Sequence, residues 1–127
     1  MKEYLNEMIE DLKGLIAIKS VKSEPSDEAP YGKGTLKALE YMLDLGKRYG
    51  LKAVNIDGRA GYLEYGEGKD MIAVLLHLDV VPEQDGWTSD PYVLTERDGF
   101  LYGRGTSDDK GPAIAAFYAV ADLIKNN

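Results

Sequence analysis

Two short stretches hold the residues that could do chemistry. In LLHLDVVP, His77 and Asp79 interrupt an otherwise apolar run. On a strand, positions i and i+2 put both side chains on one side. A carboxylate that holds one imidazole nitrogen leaves the other free to ligate a metal. A core histidine satisfied by a neighbouring acid explains the same pair more simply. In GRGTSDDKGP, Asp108 and Asp109 follow a glycine-rich turn and precede a helix. A helix dipole favours acids at its start, so capping alone would account for them. Two arguments point further. Adjacent acids repel unless a cation lies close, and loops after strands are where α/β folds place their sites. Together His77, Asp79 and Asp108 make a partial nitrogen-and-oxygen metal site, of a kind suited to zinc, cobalt or manganese.

Other chemistries find no support. Lys110-Gly111 is followed by Pro112, so there is no phosphate-binding P-loop. Gly103-Arg104-Gly105 lacks the third glycine of a dinucleotide fingerprint, and no Gly-x-Ser-x-Gly elbow occurs. With no cysteine and one histidine, disulfide scaffolds, thiol nucleophiles and any site needing two imidazoles are excluded within these residues.

The elements that must position these residues are those of one domain. The chain has 127 residues, of which 44% are hydrophobic, enough for a core. Its net charge of −7 argues against nucleic acid and against an anionic membrane surface. The longest uninterrupted aliphatic run, Met71 to Leu76, is too short to span a bilayer. Acids stand near the N-terminus where a signal peptide would be apolar, so a cytoplasmic location is expected.

Leu5, Met8, Ile9, Leu12, Leu15 and Ile16 have helical spacing, which predicts an amphipathic helix over 3–18. The polar segment Ser20 to Gly34 reads as a long loop. Thr35 is placed to cap a second helix that stops at Gly50. Short strands follow over 53–57 and 62–65, and the nearly all-apolar Met71 to Val81 reads as a strand covered on both faces. Asp98-Gly99 between 92–97 and 100–102 signals a hairpin. Pro112 suits the first turn of a third helix that runs to about residue 125. The order implies an α/β fold, a layered mixed β-sheet with flanking helices.

Read in order, HLDVVP, GWTSDPY and DGFLYGRGTSDDKGP resemble the zinc metallopeptidase family of acetylornithine deacetylase, succinyl-diaminopimelate desuccinylase, aminoacylase and carnosinase (family M-twenty). The segments APYGKGTLKALEYMLDLGKRYG and NIDGRAGYLEYGEG look more like the bacterial Xaa-His dipeptidase branch than the deacylase branches. The resemblance implies that His77 binds one zinc, that Asp79 orients His77, and that Asp108 bridges two zinc ions. It also implies a cis peptide after Asp108. The family's catalytic glutamate, the acid beside it, a further metal carboxylate and a distal histidine would all lie beyond residue 127. Residues 1–127 are therefore expected to be a single incomplete catalytic domain, the N-terminal portion of a dizinc dipeptidase that cleaves short peptides. N-deacylation of an amino acid and a non-catalytic α/β binding module are the alternatives.

Further expectations follow from that reading. The segment alone should be inactive. The third helix is apolar nearly all round, like the 71–81 strand, so the segment should self-associate; covering ~400 Å² gives about 10 kcal/mol before association entropy. Trp87 and Tyr92 either line a substrate pocket or pack beside the site. Arg104 either pairs with an acid near the metal or lies on the surface. Tyr31 carries no assigned function.

Overall fold

The computed structural model describes residues 4–126. Three helices and two β-hairpins follow one another as α1 (Leu5–Ile16), α2 (Lys33–Arg48), β1 (Lys52–Ile56), β2 (Ala60–Glu64), β3 (Thr95–Arg97), β4 (Phe100–Tyr102) and α3 (Lys110–Asn126). The α/β class read from the sequence holds. The expected helix start at residue 3 lies outside the described residues.

Helix α1 forms because its apolar residues share one face, and Leu12, Leu15 and Ile16 are buried. Helix α2 begins two residues before Thr35. Gly32 takes the N-cap position with φ 100°, a conformation glycine adopts freely. Thr35 does not cap the helix; its hydroxyl donates back to the Gly32 carbonyl at 2.8 Å. The C-terminal stop is as expected. Gly50 has φ 77°, its N–H reaches the Lys47 carbonyl at 3.0 Å, and the Leu51 N–H reaches that of Gly46 at 3.0 Å. That is the Schellman closure, with buried Leu51 as its apolar contact.

The strands pair as two separate antiparallel hairpins, β1 with β2 and β3 with β4. Asp57-Gly58 and Asp98-Gly99 both take positive φ, as the tight turns favoured by strand twist require. Helix α2 lies on the first hairpin, where a Cβ on Gly46 would stand 2.2 Å from a methyl of Leu63. Helices α1 and α3 pack together. Leu15, Ile16, Leu45, Ile114 and Tyr118 sit at the centre of their shared core.

Residues 71–81 form no regular strand. Met71, Ile72 and Leu75 are 86%, 97% and 98% exposed. A strand apolar on both faces needs a neighbour on each edge, and among the described residues none pairs with it. Only its end is anchored. The Ser20 hydroxyl donates to the Leu78 carbonyl at 2.6 Å, and the Val80 N–H donates to the Ser20 carbonyl at 3.1 Å. Helix α3 buries Ala113, Ile114, Phe117, Tyr118 and Ala121 along one face, while Leu123 is 63% exposed.

Candidate metal centre

Two tethers bring the site together, and both end on residues 15–20, the last turn of α1 and the chain just after it. Ser20 holds residues 78 and 80, as above. Lys110, at the start of α3, is fully buried. Its ammonium donates to the carbonyls of Leu15 at 2.9 Å and Ile18 at 2.7 Å. Those carbonyls lie at and just past the C-terminal end of α1, where a cation is favoured. Burial pushes the Lys110 pKa down to about 8. Glycine lets these pieces approach: a Cβ on Gly105 would stand 3.1 Å from both Val80 and the Lys110 stem.

His77 and Asp108 therefore face each other across a small cleft. The His77 Nε2 atom lies 2.9 Å from Asp108 Oδ1. Its Nδ1 atom lies 3.1 Å from the Asp79 carbonyl oxygen and 3.4 Å from the Asp79 carboxylate. The His77 backbone N–H donates to Asp109 Oδ2 at 3.1 Å, and the Asp108–Asp109 peptide is cis. All three predicted residues are thus brought to one place. Asp79 reaches the ring chiefly through its backbone oxygen, since the i, i+2 relation was argued for a regular strand and residues 77–79 are not one. A histidine that ligates a metal has its second nitrogen fixed in this way. The side chains of His77, Asp79 and Asp108 are 50%, 65% and 87% exposed.

The Asp108 carboxylate accepts from the ring and so favours imidazolium; the His77 pKa is raised above its ordinary value chiefly by that hydrogen bond. A proton thus links Nε2 and Oδ1. Two ligands of one zinc, each ~2.0–2.2 Å from it at a tetrahedral angle, stand roughly 3.3 Å apart. The pair fits two coordination positions in donor type; at 2.9 Å it stands closer than that, as a hydrogen-bonded pair. Catalytic zinc takes three protein ligands, and among the described residues no three such donors gather at one point.

The remaining candidates fall into place around the cleft. The Tyr92 hydroxyl donates to Glu83 at 2.6 Å, and Lys19 pairs with the same carboxylate. The two contacts hold Glu83 down at about 2, while burial, with the bond to Glu83, pushes Tyr92 up to about 12. Tyr92 is therefore a packing residue. Arg104 lines the cleft with His77 and Asp108 and lies over Trp87; it makes no ion pair among the described residues. Tyr31 faces Arg59, away from the cleft. Ser20 and Lys110 escaped the sequence reading. Lys110 carried a signal, since a lysine in the first turn of a helix opposes the dipole and so needs another reason to be there.

An imidazole and a carboxylate thus face each other across a cleft in an α/β framework. Residues 73–127 match the model of a family described as Peptidase family M20/M25/M40. A Staphylococcus epidermidis protein named "Putative dipeptidase" is 50% identical over 123 residues, which cover 95% of this chain and 26% of that protein. A Staphylococcus haemolyticus protein of like name is 48% identical over 97% of this chain and 27% of its own length. The crystal structure of human carnosine dipeptidase 1 superposes with a TM-score of 0.78 at 31% identity, over 94% of this chain and 28% of that one. The chain spans about a quarter of the length of the relatives it matches.

Proposed function

We propose that this segment supplies part of the catalytic centre of a metal-dependent dipeptidase, with His77 and Asp108 as ligands and Asp79 as the residue that orients His77. The observation that carries the reading is the 2.9 Å approach of His77 Nε2 to Asp108 Oδ1, with Nδ1 already engaged by Asp79. When bound, a pair of zinc ions, or cobalt or manganese in their place, supplies Lewis-acid activation of water and of the scissile carbonyl. Asp108, with His77, would hold that metal. His77 must give up its Nε2 proton to ligate, and Asp79 keeps the Nδ1 proton in place so that only Nε2 is released. The acids do more than cap: both Asp108 and Asp109 direct a carboxylate oxygen to His77. That favours a catalytic role over a purely structural one, and the relatives named as dipeptidases favour peptide cleavage over N-deacylation.

In this reading the substrate is a dipeptide or short peptide, the protein works in the cytoplasm, and the 127-residue chain self-associates through its bare 71–76 segment. Among the described residues no helix is long and apolar enough to cross a membrane. The test is dipeptide hydrolysis by a protein of the relatives' length that carries this segment, assayed with zinc and after chelation. Activity lost on chelation, regained with zinc and abolished by His77→Ala supports the assignment. Turnover that survives His77→Ala contradicts it.

A further inference from the structure

The chain holds three Asp-Gly pairs, Asp57-Gly58, Asp85-Gly86 and Asp98-Gly99. An aspartate before glycine closes readily into a cyclic imide, because the glycine has no Cβ to obstruct its own nitrogen. Closure needs a free Gly N–H and a backbone that can turn. The structure separates the three pairs on both counts. The Gly58 N–H donates to Asn55 Oδ1 at 2.8 Å, and a Cβ there would stand 2.6 Å from the Glu28 carbonyl oxygen. Asp98-Gly99 is clamped between the paired residues Arg97 and Phe100, with φ at 54° and 78° as that tight turn requires. Asp85-Gly86 has neither restraint. Both residues are exposed and lie outside any helix or strand. Among the described residues no hydrogen bond or ion pair holds the Asp85 carboxylate or the Gly86 N–H. A Cβ on Gly86 would meet nothing within 4 Å.

The loop around this pair is tied at its ends. Lys19 pairs with Glu83, and the Tyr92 hydroxyl donates to the same carboxylate at 2.6 Å. The Tyr92 N–H donates to Asp90 Oδ1 at 2.8 Å. Between these ties lies Trp87, with the Arg104 guanidinium 5.3 Å from its ring centroid. Arg104 in turn lines the cleft that holds His77 and Asp108.

We propose that Asp85 is a modification site, which converts to isoaspartate through a cyclic imide with Gly86 and so disturbs the Trp87–Arg104 stack beside the cleft. The Gly86 nitrogen attacks the side-chain carboxyl carbon of Asp85 in its acid form. A new N–C bond forms, and the carboxyl hydroxyl leaves as water with the proton of the Gly86 N–H. Water then adds back to the imide. Breaking the new N–C bond restores aspartate. Breaking the original peptide bond leaves Gly86 joined through the side-chain carbon, which is isoaspartate. One water leaves and one returns, and no other reactant takes part. The main chain gains one carbon. A loop tied at both ends must absorb that carbon locally, and Trp87 stands two positions on.

The experiment holds the 127-residue chain for days in neutral buffer made with heavy-oxygen water. The chain is then digested in ordinary water, and the peptides that carry each pair are weighed. Every imide that reopens keeps one oxygen of the heavy water. Label at 85–86 should exceed that at 57–58 and 98–99 by about tenfold, since the restrained pairs must wait for local opening. In denaturing guanidinium the three should label alike. Trp87 is the chain's one tryptophan, so its emission should drift as label gathers. Asp85→Glu, which would need a larger and slower ring, should stop both; its side chain is exposed and the fold does not need it. An unlabelled 85–86 pair, label that gathers first at another pair, or a preference that survives denaturation would overturn the site. Steady Trp87 emission while 85–86 gains label would overturn the effect on the stack.

Discussion

His77 and Asp108, 31 positions apart in the chain, meet at 2.9 Å through Nε2 and Oδ1. No element that contains either one enforces this. The contact exists because Ser20 holds the chain around residue 79, while Lys110 holds the start of α3 to the end of α1. The end of α1 is thus the common anchor of both halves of the site.

The ring of His77 should titrate above its ordinary value of 6.5, because Asp108 stabilises its charged form. With the folded pKa raised, the stabilisation is fully present below pH 6.5 and is lost as pH rises through the folded pKa. Histidine-detected NMR against pH measures this directly. Asp108→Asn should bring the value back towards 6.5. An unchanged titration in that variant would show that the pair does not interact in solution.

Lys110→Met keeps most of the stem volume but removes the bonds to the carbonyls of Leu15 and Ile18. Each bond from a charged donor is worth ~1.5–3 kcal/mol, and relief of the buried charge offsets part of that, so a net loss of about 2 kcal/mol is expected in urea unfolding. The unmodified chain should also gain stability between pH 8 and pH 10.5, because the folded lysine releases its proton near 8 and the unfolded one holds it longer. The variant should show no such rise.

Above pH 10 the tyrosines act the other way. Tyr118 is fully buried and donates to Asp11 at 2.6 Å. Burial and that bond raise its pKa far above the ordinary value. The stabilisation is complete below pH 10, and it declines as alkali deprotonates the unfolded chain first. Tyr118→Phe should flatten the decline, which denaturant unfolding at pH 9 to 11 would reveal.

How much was legible in the sequence follows a physical line. Features set within a few residues came through: the Asp98-Gly99 turn, the Gly50 stop, the face of α1 and the pairing of His77 with Asp79. Asp108 was grouped with them from its place in a glycine-rich loop before a helix, and the resemblance gave it its role. The 71–81 segment did not come through, because an apolar run signals burial without saying what buries it, and no partner strand lies among the described residues. Thr35 was misplaced because a glycine with positive φ can open a helix without a side-chain cap. Ser20 and Lys110 act through backbone carbonyls of distant residues, and periodicity is blind to such contacts.

The exposed run Met71 to Leu76 lacks charge and proline, the signature of segments that pair edge to edge. Sedimentation at micromolar concentration should show a dimer or larger species. Ile72→Lys with Leu75→Lys should return it to monomer, since both side chains are almost fully exposed and the folded core does not need them. A monomeric unmodified chain that binds no hydrophobic dye would rule this surface out as an interface.

The central claim is that His77 and Asp108 ligate one metal ion together. A double-mutant cycle on zinc affinity measures that directly, with His77→Ala, Asp108→Ala and the double variant compared by calorimetry. Two ligands should hold zinc weakly, and the two losses should be strongly non-additive, with the double variant no weaker than either single one by more than about twofold. Losses that simply add, or a zinc affinity indifferent to both residues, would contradict the account.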